Sequence, residues 1–265
     1  MNTNIKMEVE GGVASLIMTR PEIRNALTDE LRDALAECMQ QCEMDAAIRC
    51  VVLRGSGGQF MGGGNIKGMI ERAKMAPEER KSFIIRYIQT LHYIINRITK
   101  MPKPVICAVE GSAAGAGLAF AVAGDFTIAA ESAFFTSGYS MIGLSPDSSS
   151  TYFLPRLIGL KRAFEMMYLS GRYTAEEAKE MGLVTRVVPN DEFDNYVSEL
   201  ATKLANGPTH AYAQGKALLY SSFDNSMESQ LELEAAAIGS CMMTDDHIEG
   251  VTAFMEKRKP IFKGK

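Results

Sequence analysis

The segment MPKPVICAVEGSAAGAGLAFA, residues 101–121, decides the fold. Met101-Pro102-Lys103-Pro104 halts the helical pattern before it, because proline lacks an N–H and disfavours helix in the preceding residue. Val105 to Val109 is an apolar, strand-like run. Gly111 to Gly117 then holds only glycine, alanine and serine, and a helical pattern follows. A strand, a small-residue turn and a helix make part of a crossover connection, which predicts a mainly parallel core.

The same order recurs on both sides of this segment. Val13 to Thr19 reads as a strand, and Thr28 begins a helix with Leu31, Leu35 and Cys38 at the helical period. Cys50 to Leu53 is a buried-type strand running into Gly55-Ser56-Gly57-Gly58, and Lys81 to Thr99 is a long amphipathic helix. Phe126 to Ala129 and Val184 to Val188 are further strands, the second following a helix that Thr174 caps with Glu177 placed for a capping box. Beyond about Asn190 the pattern is helical throughout, over Tyr196–Leu204, Ala211–Leu219, Ser229–Met242 and His247–Lys257. Such a tail buries little by itself, so it should pack on the core or on another subunit. No internal repeat or linker interrupts the chain.

Composition narrows the function. The 265 residues are 46% hydrophobic and 23% charged, near the globular average, with a net charge of −4. That sign argues against nucleic acid as a partner, although an anionic cofactor needs only a few local donors. No apolar run approaches the ~20 residues of a membrane span, and residues 1–10 lack the apolar block of a secretory signal. Cys38, Cys42, Cys50, Cys107 and Cys241 are odd in number and lack metal-finger spacing. They point to packing, no metal site and a reducing cytoplasm.

Two loops remain to be explained. Gln59 to Lys67, containing Gly62-Gly63-Gly64, lies between a strand and a helix, as does Gly111 to Leu118. Small residues let a ligand approach the backbone, and a helix start offers free, partly positive N–H groups. Facing each other, the loops would supply two donors to one developing oxyanion. Either loop alone reads more simply as a tight strand-to-helix turn. No Walker pattern is present, and Phe120 occupies the third small position of the dinucleotide-like run begun by Gly115 and Gly117.

Taken together, these features resemble the crotonase (enoyl-CoA hydratase/isomerase) superfamily. The match runs through Arg20-Pro21 with Asn25-Ala26-Leu27, Gly62 to Lys67, Pro102 to Gly111, Gly115-Ala116-Gly117 and Asp125. It continues through Leu154 to Gly159, Leu169 to Arg172, Gly182-Leu183-Val184 and Phe254 to Pro260. The resemblance implies an α/β fold, a crotonase-like spiral of ββα repeats over residues 1–190, with a helical trimerisation region over residues 191–265. It implies a homotrimer or a hexamer made as a dimer of trimers. The ligand it implies is an acyl-CoA thioester, with coenzyme A part of the substrate and no tightly bound cofactor. The oxyanion donors map to the N–H groups of Gly64 and Ala116. Arg24, Ala26, Met61, Gly62, Asn65 and Ile66 map to the coenzyme path, Tyr139 to the acyl pocket, and Phe254 and Lys257 to a neighbouring subunit's coenzyme.

The family's hydratases use two glutamates to hold water, and those positions read Ala119 and Tyr139 here. Neither is a carboxylate. Asp147, after Pro146, resembles the single aspartate of the branch holding double-bond isomerases, ring-opening isomerases and aryl-CoA dehalogenases. One base suffices for a 1,3-proton shift, and burial beside Met141, Ile142 and Leu144 would aid the proton's return. The plainer reading of Pro-Asp-Ser is a helix N-cap. His92 lies near the base of the dehalogenase branch, where Asp147 would be a nucleophile, but it also suits the edge of an amphipathic helix. Isomerase is therefore the leading reading. The alternatives are a hydratase using Tyr139 and Asp147, a dehalogenase, and a non-catalytic CoA-binding subunit. Met69 to Phe83 and the residues around Tyr139 should shape the acyl pocket.

Overall fold

The computed structural model describes residues 4–265. β1 (Ile5–Glu10) and β2 (Val13–Met18) pair as a hairpin, and α1 (Asp29–Met44) leads to β3 (Cys50–Gly55). α2 (Ile66–Arg72) and α3 (Pro77–Lys100) precede β4 (Val105–Val109), β5 (Ser112–Ala114) and α4 (Ala116–Ala123). β6 (Phe126–Ala130), β7 (Phe134–Thr136) and α5 (Ser150–Leu169) follow, then β8 (Tyr173–Thr174), α6 (Ala175–Met181) and β9 (Arg186–Val188). The chain ends in α7 (Phe193–Ala205), α8 (Thr209–Ser221), α9 (Met227–Met242) and α10 (Asp245–Glu256).

The main sheet has the order β1-β2-β3-β4-β6-β9, and β5-β7-β8 form a second, smaller sheet. Every pair in the main sheet is parallel except β1 with β2. β4 enters the main sheet, β5 the small one, and α4 closes the turn; β6, β7 and α5 repeat that order. The turn after β3 is built alike, its small-sheet strand reduced to one parallel bridge between Met61 and Ala113. This is a spiral of ββα turns, and it stacks the exits of β3 and β4 side by side.

Alternation along the strands sorts the core. Val51 and Leu53 face α1, α3 and α4, whereas Cys50 and Val52 face the opposite layer with Ile106 and Ile128. α7 covers that second face with Phe193, Val197, Ala201 and Leu204. Burying Phe193, Val197 and Leu204 stabilises by about 1.5–3 kcal/mol each. The predicted capping box is present, with the Thr174 hydroxyl accepting from Glu177 N and Glu177 Oε2 accepting from Thr174 N at 2.7 Å.

Three readings are corrected. β1 was missed although Ile5, Met7 and Val9 alternate with Lys6, Glu8 and Glu10 at the strand period; its charges are tolerated on the open edge of the sheet. β5 and β7 are too short, at 3 residues each, to show a period. α3 begins at Pro77 rather than Lys81, since proline fits a first helical turn. Among the described residues no helix is long and apolar enough to cross a membrane.

Candidate active site

The first loop is held by Asn25, which is fully buried with φ 50°. Its Oδ1 accepts from Arg20 N at 2.8 Å, and its Nδ2 donates to Gln59 O at 2.6 Å and Ser56 O at 3.2 Å. This ties the Arg20–Asn25 turn to the chain leaving β3. Further on, Gly62 N donates to Arg24 O and Leu27 N donates to Gly63 O, each at 2.8 Å.

The second loop lies directly against the first. Met61 N donates to Ser112 O at 2.9 Å, and Ala114 N donates to Met61 O at 3.0 Å. Glycine permits the approach: a Cβ on Gly63, whose φ is 94°, would lie 2.9 Å from Ala114 O. A Cβ on Gly117 would fall on the Met61 carbonyl oxygen. Gly64 and Ala116 thus follow the points of closest contact, and among the described residues neither N–H has a hydrogen-bond acceptor. Ala116 also opens α4, which no side chain caps, so the partial positive charge of the first turn stays available.

Both loops open into one cavity of about 630 Å³. Gly62, Gly64, Asn65, Ile66, Ala116, Tyr139, Asp147 and His92 all line it. The apolar wall differs from expectation. Met69 and Arg72 are the contributions of Met69 to Phe83, and the wall is completed by Ile84, Ile85, Ile88 and Leu91 of α3. Two other hollows, of about 510 and 960 Å³, flank α8, and neither is lined by Gly64, Ala116 or Asp147.

The Asp147 carboxylate does not cap α5. Ser149 occupies the N-cap position at φ 72° with no side-chain cap, and Asp147 Oδ1 instead accepts from the Tyr139 hydroxyl at 2.6 Å. Burial pushes the Tyr139 phenol well above its ordinary range, and the Asp147 charge pushes it further. Met141, Ile142 and Leu144 do not cover Asp147 but stand exposed at the rim. Ala119 is fully buried in α4 and lies off the cavity lining, so no acid or base enters there.

Other expected residues lie elsewhere. Met61 is fully buried, a strut between the loops rather than cavity wall. Arg24 and Ala26 sit on the turn behind Gly62, outside the lining. Phe254, 83% exposed, and Lys257 lie at the end of α10, away from the cavity of their own chain. Asp125 is structural, buried against Lys216 Nζ at 2.7 Å. Two lining residues were not singled out in the sequence: Tyr87, and Arg72 within the expected stretch Met69 to Phe83. Tyr87 donates to Leu27 O at 3.2 Å, its phenol pushed up to about 12 by burial. Arg72 holds both Asp29 oxygens at 2.9 and 3.0 Å and stacks 4.7 Å over Phe83. The stripe Ile84, Ile88 and Leu91 was the available signal, but it reads equally as core.

Comparison with known proteins agrees with this geometry. The pattern of the enoyl-CoA hydratase/isomerase family matches residues 8–265. The chain is 39% identical to 1,2-epoxyphenylacetyl-CoA isomerase of Escherichia coli over 98% of both chains. It is 30% identical to 4-chlorobenzoyl coenzyme A dehalogenase-1 of an Arthrobacter species, covering 96% of this chain and 91% of that one. The crystal structure of an enoyl-CoA hydratase from Bacillus anthracis superposes with a TM-score of 0.91 at 32% identity, covering 99% of this chain and 100% of the other. With its spiral fold and paired loops, the chain belongs to the enoyl-CoA hydratase/isomerase family and is an enzyme of the hydratase or isomerase type.

Proposed function

We propose that this enzyme moves a double bond within an enoyl-CoA thioester, with Asp147 as acid and base. The thioester carbonyl oxygen accepts from the N–H groups of Gly64 and Ala116. Asp147 removes a proton from the carbon between alkene and carbonyl, and that C–H electron pair delocalises onto the oxygen as a dienolate. The electrons return as the far alkene carbon takes the same proton from Asp147, leaving the double bond conjugated and the carboxylate regenerated. The observation that carries this reading is the meeting of one carboxylate with two unengaged amides on a single cavity. The 39% identity to an isomerase supports it.

Arg24, Ala26, Gly62, Asn65 and Ile66 are assigned to the coenzyme path, and CoA enters and leaves as part of the substrate. The helical region from residue 191 is assigned to a trimer, singly or stacked as a hexamer. Supporting this, Leu219, Phe223, Leu231, Ile238 and Phe254 are exposed on one chain, and apolar surface on that scale marks interfaces. A neighbouring copy would bring Phe254 and Lys257 to the coenzyme. Five unpaired cysteines fit a reducing cytoplasm.

Asp147→Asn should abolish isomerisation of 3-enoyl-CoA and proton exchange beside the thioester, while calorimetry finds acyl-CoA binding within about twofold. Survival of the exchange would refute the assignment. Crotonyl-CoA separates hydration, which bleaches the conjugated thioester absorbance. Because His92 lines the same cavity, the hydrolytic route also has a test: one turnover would place solvent oxygen in Asp147.

A further inference from the structure

The segment from Tyr139 to Asp147 has little to hold it. Met141, Ile142 and Leu144 are 76%, 48% and 48% exposed, whereas Tyr139 is 7% exposed. The Tyr139 carbonyl accepts from Ile142 N at 3.1 Å and Leu144 N at 3.0 Å, closing the start of the segment. Its hydroxyl donates to Asp147 Oδ1 at 2.6 Å, holding the end. The ring is referenced to the donor loop as well, since a Cβ on Gly115 would lie 3.9 Å from Tyr139 Cζ. From the geometry we infer that Tyr139 is a positioning residue, which aims the Asp147 carboxylate at the substrate carbon relative to the Ala116 donor. This rests on Asp147 being the acid and base.

The main chain of Asp147 is secured independently. Its carbonyl accepts from Ser150 N at 3.0 Å and from Ser150 Oγ at 2.6 Å. What the phenol decides is the direction of the carboxylate. Two other cavity donors are engaged elsewhere, the Arg72 guanidinium by Asp29 and the Tyr87 hydroxyl by Leu27 O, and Tyr139 is the side chain that donates to Asp147. With Oδ1 held, Oδ2 has no donor among the described residues and is the oxygen left for the substrate proton. The phenol keeps its own proton throughout, because burial next to a carboxylate disfavours phenolate. Tyr139 therefore orients the base without entering the proton count.

Tyr139→Phe keeps the ring and removes only the donor. The test follows deuterium wash-in beside the thioester of a saturated acyl-CoA, resolving the two hydrogens by NMR. The variant should bind acyl-CoA within about twofold, exchange about ten- to a hundredfold more slowly, and lose its preference for one hydrogen. A normal rate, or a slower rate with the preference intact, would overturn the inference. Asp147→Glu gives a second test with the phenol retained. Displacing the carboxylate by one methylene should slow exchange at least as much, and an unchanged rate again overturns the inference. Asp147→Asn separates the two levels. If it still exchanges, the base assignment falls; if it is inert while Tyr139→Phe is normal, only the positioning role falls.

Discussion

Replacing Ala116 with proline removes the N–H proposed as one of the two oxyanion donors and puts a ring carbon in the place of its hydrogen. Ala116 is the first residue of α4, where proline is accommodated because its N–H has no partner within the helix. The residue before a proline must avoid helical ψ, and Gly115 at φ 52° and ψ −117° is an extended conformer of mirror hand open to glycine. The helix should therefore survive, leaving Gly64 as the single donor. Removing one such donor weakens transition-state stabilisation by about 2.7–4 kcal/mol, a fall of about 10²–10³ in kcat. The assay is the rise of conjugated thioester absorbance from a 3-enoyl-CoA, with calorimetry for binding and circular dichroism for the fold. Since the ring occupies the place of the hydrogen, kcat must be read at saturation. Ala116→Gly, which keeps the N–H, should lose much less. A folded proline variant with kcat within about threefold of the parent would refute the paired-donor argument.

Two further outcomes follow from packing and charge. Gly117→Ala should push the loops apart, costing about 1–3 kcal/mol in thermal denaturation together with activity, because its methyl meets the Met61 carbonyl; unchanged stability and kcat would refute the contact. Lys216→Met should cost about 3–5 kcal/mol by leaving the Asp125 carboxylate without its counter-charge, with the Val105 N–H still donating to it at 2.8 Å. Burial already raises the Asp125 carboxyl, with Lys216 pulling it back, so this group favours folding below its unfolded value and less so as pH rises. Losing Lys216 removes that pull, and the melting-temperature deficit should be small near about pH 4 and widen toward about pH 7. A deficit constant with pH would refute the ion pair's role.

The parts of the fold legible in the sequence are those where one residue type has one physical use. Gly63 and Gly117 mark two loops in contact because any side chain there strikes a backbone carbonyl. Thr174 and Glu177 mark a helix start because each satisfies the other's backbone. Apolar residues are different, since the same isoleucines suit a core or a ligand wall. Ile84 and Ile85 fall within the amphipathic helix expected over Lys81 to Thr99, yet they are 37% and 49% exposed at the cavity. Only the folded chain separates those cases. The Tyr139–Asp147 bond was equally hidden, because it depends on the turn at residues 140–142 folding the chain back on itself, in a segment that is neither a continuous helix nor a strand.

The proposed chemistry is constrained further by the residues at 119 and 139. Hydration needs a water fixed by two groups, one taking its proton and the other supplying one to carbon. At residue 119 a fully buried methyl can neither accept from nor donate to such a water, and at 139 the phenol is already committed to Asp147. On the proposed reading a proton shift asks for one free carboxylate oxygen, which Asp147 Oδ2 supplies. In the proposed mechanism the same oxygen takes the proton and returns it, since both carbons would belong to one planar dienolate with its oxygen between the two loops. Restoring a carboxylate at 119 while leaving Tyr139 in place should therefore not create a hydratase. Tyr139 would still hold Asp147 in the orientation suited to the shift.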